Sequence, residues 1–176
     1  MFQLAIGPQH GWEDIAVENQ DPDKLTSDGL YPLLGVVALS SFCQMIYHHD
    51  MGLVYPLERA IIIFSVYFVT LMLAQNLVPS MLEKCVESGE VDLQRTSTFI
   101  IYSLGLMAIV SMIENLVPLE LSLVQFLPVL VALVMWKSAR YLKIMYSQNG
   151  RFIFVAVVFV LLPPILLNML LSMILP

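Results

Sequence analysis

Polar positions along this chain are gathered into clusters, and between the clusters lie five intervals without a single Asp, Glu, Lys, Arg or His. They are Gly29–Tyr47 (19 residues), Ala60–Leu82 (23), Thr96–Ile113 (18), Leu121–Trp136 (16) and Phe152–Pro176 (25). A helix rises about 1.5 Å per residue and needs roughly 17–25 apolar residues to cross the hydrocarbon of a bilayer. Four intervals reach that length, and the fourth in order falls slightly short. Helices of a soluble bundle keep one polar face, whereas "AIIIFSVYFVTLMLA" and "RFIFVAVVFVLLPPILLNMLLSMIL" are apolar all round. The pattern predicts an all-α integral membrane protein with five transmembrane helices, over about 30–47, 58–79, 97–113, 120–136 and 152–175. Pro128, Pro163 and Pro164 fall inside the last two. In a membrane, neighbouring helices can satisfy the carbonyls that proline frees, so kinks are expected in the fourth and fifth spans.

Ahead of the first interval the periodicity changes. In "PQHGWEDIAVEN", Trp12, Ile15, Ala16 and Asn19 recur at helical spacing, with Glu13, Asp14 and Glu18 on the opposite face. Pro8 suits a first turn, and acids suit the positive end of a helix dipole. The chain therefore divides into a segment 1–28 with a short amphipathic N-terminal helix, and a membrane domain 29–176. That helix has no basic face to hold anionic lipid, so it is expected to pack on the protein's own loops. Two other half-apolar pieces are available: "SMLEKCVESGEVDLQRT", with Met81, Leu82, Cys85 and Val86 on one side and a break at Gly89, and "ARYLKIMYSQNGR". Together they are expected to form a cytoplasmic cap around Trp12, Ile15, Arg140 and Lys143.

Charge gives the chain a direction. With five spans, Lys24, Lys84, Arg95, Lys137, Arg140, Lys143 and Arg151 share one side and only Arg59 is left on the other. Basic residues mark the cytoplasmic side. The N-terminus is then expected in the cytoplasm and the C-terminus outside, in a bacterial inner membrane. Hydrophobic residues make up 59% of the chain and charged residues 12%, about half the charged share of a soluble domain. Most of the net charge of −6 lies in residues 1–28, where six acids face Lys24 alone. No basic stripe exists for phosphates, so nucleic acid is not an expected partner. The start "MFQLAIGPQHGWED" has neither the basic opening nor the long apolar core of a secretory signal.

Several of these stretches together resemble bacterial members of the Yip family of Ypt/Rab-interacting proteins. They are the proline followed by "WEDI", the first span opening "YPLLGVVAL", the second ending "LAQNLVP", the cytoplasmic "GEVDLQRT", the span "FIIYSLGLMAIVSMI" and the basic "KSARYLKIMYSQNGR". The resemblance runs along nearly the whole chain. It implies a five-span membrane domain with a cytoplasmic N-terminus. The Tyr-Gly-Pro motif of eukaryotic members is missing, so small-GTPase binding is not carried over. A proline common in the family's third span is replaced around "YSLGL".

Chemistry-bearing residues are sparse. No ionisable side chain falls inside a charge-free interval, where it would mark an ion or proton path. The neutral amides Gln44, Gln75, Asn76, Gln125 and Asn168 do, and they are candidates either for helix-to-helix contacts or for a polar path. "HHD" at His48–Asp50, with Glu58, Glu114 and Glu120 on the same side, is a conceivable metal or pH site. Adjacent histidines on a helix point about 100° apart, however, which favours a polar cap over a metal site. Cys43 and Cys85 suggest neither a disulfide framework nor a zinc site. Serines lack a histidine and an acid at suggestive spacing, and no phosphate loop or cofactor motif is present. The expected protein is non-enzymatic and without a cofactor. It would act as a scaffold or interaction protein, in a homo-oligomer or with other membrane proteins in the lipid bilayer. A small transporter or channel subunit lined by the span amides is the alternative.

Overall fold

The computed structural model describes Leu4 and residues 7–47, 52–87, 89–117 and 126–174, with Ser172 and Ile174 described as backbone only. Its regular elements are all helical. Helix α1 (Pro8–Glu18) opens with proline in its first turn and ends at Asn19, whose left-handed φ of 42° closes it. Helix α2 (Pro22–Tyr47) starts well before the expected first span. The Asp21 carboxylate accepts from Asp23 N (3.1 Å) and Pro22 occupies the first turn, which is a complete N-terminal signal. Asp23, Lys24 and Asp28 close the apolar interval but remain exposed, so they do not stop the helix.

Helix α3 (Val54–Leu82) runs 29 residues, through Glu58 and Arg59 at one end and with Pro79 in its last turn. Helix α4 (Leu93–Leu116) is capped by Asp92, whose side chain accepts from Arg95 N at 3.1 Å. Helix α5 (Leu127–Lys137) has 11 residues and is about 16 Å long. Pro128 stands in its first turn, where a missing N–H costs nothing, rather than in a helix interior. Residues 118–125, which the sequence pattern assigns partly to the fourth span, lie outside the described residues. Helix α6 (Tyr146–Leu171) stays helical past Pro163 and Pro164. A π-turn over Val157–Leu161 immediately precedes these prolines, as expected where carbonyls must be re-satisfied around proline.

Helices α2, α3, α4 and α6 are long and apolar enough to cross a membrane. The protein is an all-helical, membrane-type bundle. Its axis is α4: 72% of its apolar window is buried, against 28–44% for the other three. Helices α2, α3, α5 and the π-turn of α6 pack around it, and Ser103, Gly105 and Ala108 are small residues on it that let them approach. The outer faces of α3 and α6 remain apolar and exposed, among them Ile61, Phe68, Met72, Phe154 and Leu170. Water would not tolerate such faces, and lipid does.

The helix ends gather in a definite way. The side chain of Gln94 near the start of α4 donates to Gln20 O just before α2 (3.4 Å). Met145 N, just before α6, donates to Cys85 O just after α3 (2.9 Å). The last turn of α5 meets Trp12. So α2, α4 and α6 run away from the Trp12 end, while α3 and α5 run toward it.

Candidate functional site

The Trp12 end is a closed aromatic cap. Trp12 is 2% exposed, and its indole Nε1 donates to Val134 O at 3.0 Å. Val134 is in the last turn of α5, where carbonyls have no helical partner. The indole stacks on Tyr141 with centroids 5.3 Å apart and contacts Phe99 (5.8 Å) and Tyr102 (6.3 Å, edge-on). Behind it, Gly11 lets Leu4 approach: a Cβ there would come within 2.9 Å of Leu4 Cδ2. Ile15 is buried alongside.

Arg95 braces the cap from below. It donates to Tyr141 O (3.1 Å), lies 5.6 Å over the Tyr141 ring, and pairs with Asp92 at 3.2 Å. Burial pushes the Tyr141 phenol above its ordinary value, opposed by a hydrogen bond with Thr98 and by the Arg95 charge. The segments after α3 and before α6 join through a Val86–Ile144 bridge, with Glu87 N donating to Lys143 O at 3.3 Å. Gly89 takes φ +70° in the turn that follows. A cavity of about 180 Å³ is left beside the indole, lined among others by Glu13, Arg95, Lys137 and Arg140.

Of the four residues expected in this cap, Trp12 and Ile15 are buried in it, whereas Arg140 and Lys143 are exposed at its edge. Lys143 contributes its backbone, at φ 55°.

The opposite end is open. From Phe99 to Glu114 the axis of α4 advances about 22 Å, and there a cavity of about 420 Å³ lies between α3, α4, α5 and α6. Its floor is Tyr67 and Ser111, which share a hydrogen bond of 2.8 Å. Its walls are Ile63, Val66, Met107 and Val110, and its mouth carries Glu114 and Asn168. Arg59, one turn along α3 from Ile63, donates to Asn168 Oδ1 at 3.1 Å. The Arg59 Nε is buried without a hydrogen-bond partner.

A polar junction stands beside this cavity. Gln44 Nε2 donates to Asn115 Oδ1 (3.0 Å), Asn115 Nδ2 donates to Ser40 Oγ (2.9 Å), and Ser40 donates to Val37 O (2.6 Å). Ser41 Oγ lies between Ala38 O (2.7 Å) and Pro56 O (2.9 Å). These bonds tie α2 to both α4 and α3.

The span amides thus separate. Gln44 bridges helices and Asn168 meets Arg59. Asn76 is exposed and bonds back to Met72 O in its own helix (2.6 Å), and Gln75 beside it is half-buried. Neither lines the outer cavity or the cap cavity. Gln125, His48, His49, Asp50 and Glu120 lie outside the described residues. Among the described residues no three metal-ligating side chains converge. The charge-free intervals stop short of Arg59 and Glu114, and the expected third span ends at 113, but α3 and α4 run on through both, which brings a cation and an anion together near the cavity mouth. Asn115, Tyr67 and Arg95 also carry parts that periodicity alone did not reveal. The signal for the outer site was the common register of Arg59, Glu114 and Asn168, each a few residues from the same end of its helix.

No family model matches this chain, and neither the curated proteins nor the solved structures provide a match.

Proposed function

We propose that this chain is a Yip-like integral membrane protein of five passes, non-enzymatic, which works through contacts with its own copies or with other membrane proteins. In this reading α5 and the residues leading into it make the fourth pass, with bends near Pro128 and Pro163–Pro164. The membrane is a bacterial inner membrane, the Trp12 end faces the cytoplasm, and the C-terminus lies outside. The alternating helix directions support the odd number of passes. Seven of the eight basic residues belong to the Trp12 end, and basic residues favour the cytoplasmic side.

One observation carries the choice of contact over conduction. From Phe99 of the cap onward α4 is sealed by Ile100, Ile101 and Leu104, each fully buried, with Phe152, Ala156 and Val160 of α6 equally buried. A path for ions or polar solutes needs water or polar groups along it, and this layer is apolar and packed. Buried polar groups on either side join helices, as Ser40, Ser41 and Asn115 do, or bond back into their own turn, as Thr70, Thr98 and Ser138 do.

Reconstitution into sealed proteoliposomes tests the choice. No ion or solute flux above protein-free vesicles is expected. A flux that is altered by the paired substitution Gln75→Leu and Asn76→Leu would overturn the reading in favour of a small transporter or channel subunit. Orientation has its own measurement: a phosphatase fused after Pro176 should be active outside the cytoplasm.

A further inference from the structure

The mouth of the outer cavity brings opposite charges together: Glu114 and Asn168 line it, and Arg59 is bonded to Asn168. Arg59 gives one guanidinium nitrogen to Asn168, while Nε–H is buried with no acceptor. Glu114 lies close enough for Arg59 to act on it electrostatically, yet the two do not close into an ion pair. The mouth therefore presents a half-buried cation beside an exposed anion.

Below the mouth the chemistry changes. The walls are aliphatic, and the cavity continues to Pro164, Ile165 and Met169 of α6. Ile165 and Met169 are exposed on the side of the bundle. The opening is thus lateral, toward the face that lipid covers. A volume of about 420 Å³ falls within the range of small-molecule sites, about 300–1,000 Å³.

We propose that this cavity binds one zwitterionic phospholipid carrying a primary ammonium, held by its headgroup. The phosphodiester takes the terminal guanidinium N–H groups of half-buried Arg59 and the Asn168 amide, the ammonium takes Glu114, and an acyl chain leaves along Ile165 and Met169. Guanidinium suits phosphate because it offers several donors in one plane. An anionic lipid would satisfy Arg59 but set a second negative charge against Glu114. A tail-free phosphate ester would leave the lateral apolar opening unused. The inference rests on the bilayer reading above.

Native mass spectrometry of the full chain, purified in a phosphate-free maltoside detergent, tests it. Phosphatidylethanolamine, phosphatidylglycerol of the same acyl chains and tail-free glycerophosphoethanolamine are titrated separately and in competition. The wild type should retain the ethanolamine lipid about tenfold better than the glycerol lipid, because only the former offers Glu114 a charged donor. Glu114→Gln should bring that ratio close to one. Glu114 is exposed at the mouth, so this variant should melt as the wild type does. Arg59→Gln should weaken retention of both lipids. Ile165→Trp, an exposed position that fills the lateral opening, should do the same if Arg59→Gln does not fold. Equal retention of both lipids by the wild type, or a preference that survives Glu114→Gln, overturns the site. Displacement by glycerophosphoethanolamine overturns its assignment to a lipid. Solubility of the chain without detergent would instead overturn the bilayer reading, which separates the two failures.

Discussion

The two ends of α4 are built by opposite means. At the Trp12 end, four aromatic rings, one indole hydrogen bond and one braced arginine fill the space, and the cavity that remains is about 180 Å³. At the other end, about 22 Å along the helix, a cavity of about 420 Å³ carries a glutamate and an amide at its mouth, with an arginine bonded to the amide. The first arrangement is a brace, because almost every group in it is satisfied by another group of the same chain. The second leaves space between its helices with charged and polar side chains at the edge. Stability and recognition are thereby placed at different ends of one helix, with an apolar layer between them.

The largest expected effect breaks the brace. Trp12→Ala removes a buried indole that touches Phe99, Tyr102 and Tyr141, and losses of this kind cost about 3–5 kcal/mol. Trp12→Phe keeps most of the ring contacts and gives up the bond to Val134 O, a loss of about 1 kcal/mol. Reversible unfolding in mixed detergent–dodecyl sulfate micelles measures both. If Trp12→Ala cost no more than Trp12→Phe, the cap would be an ornament on a bundle that stands without it.

How much of this was legible in the sequence follows the same division. The cap could be read because its signals are local: a proline, a tryptophan and an isoleucine at helical spacing, and apolar pieces on either side of Gly89. What could not be read is that the indole would point at a carbonyl of α5, since the two residues are 122 positions apart. The helices were visible as charge-free intervals, but their ends were not. Charges at Asp28, Arg59 and Glu114 interrupt hydropathy without interrupting backbone hydrogen bonding, and the caps at Asp21 and Asp92 set the true starts. The outer site suffers most from this. Its charged members sit beyond the apolar intervals, and its polar contacts cross between helices, Arg59 to Asn168 and Gln44 to Asn115. The π-turn before Pro163 has no one-residue signature at all.

A smaller effect is expected from cutting the polar junction at the open end. Gln44→Leu removes the donor to Asn115 Oδ1 and leaves α2 tied to α4 at this end by Asn115 Nδ2 to Ser40 Oγ and by Tyr47 Oη to Leu116 O. Interhelical hydrogen bonds in membranes average about 0.6 kcal/mol and reach about 1.7, well under the cost of Trp12→Ala. Measured in the same micelles, a loss as large as that of Trp12→Ala would erase the contrast between a packed end and a pinned one. A loss confined to the outer end should also show in hydrogen exchange. Amides near Tyr47 and Leu116 should exchange faster, while those near Phe99 stay protected.

The smallest effect is expected midway, and its sign is the informative part. Ser103 lies on α4 in the apolar layer, fully buried, and its hydroxyl has no hydrogen-bond partner. A buried hydroxyl without a partner is a cost to the folded state. Ser103→Ala removes that cost and leaves only the small gap of one oxygen atom, which offsets part of the gain. The net expectation is a stabilisation of about 0.5 kcal/mol, read as a shift of the unfolding midpoint to higher dodecyl sulfate. The layer between the ends would then be what its packing implies, a dry partition in which polarity has no task. A destabilisation of similar size would mean that the hydroxyl finds an acceptor or a water in the bilayer. The apolar partition would then be breached at its middle, and the separation of brace from binding cavity would fail at the residue that lies between them.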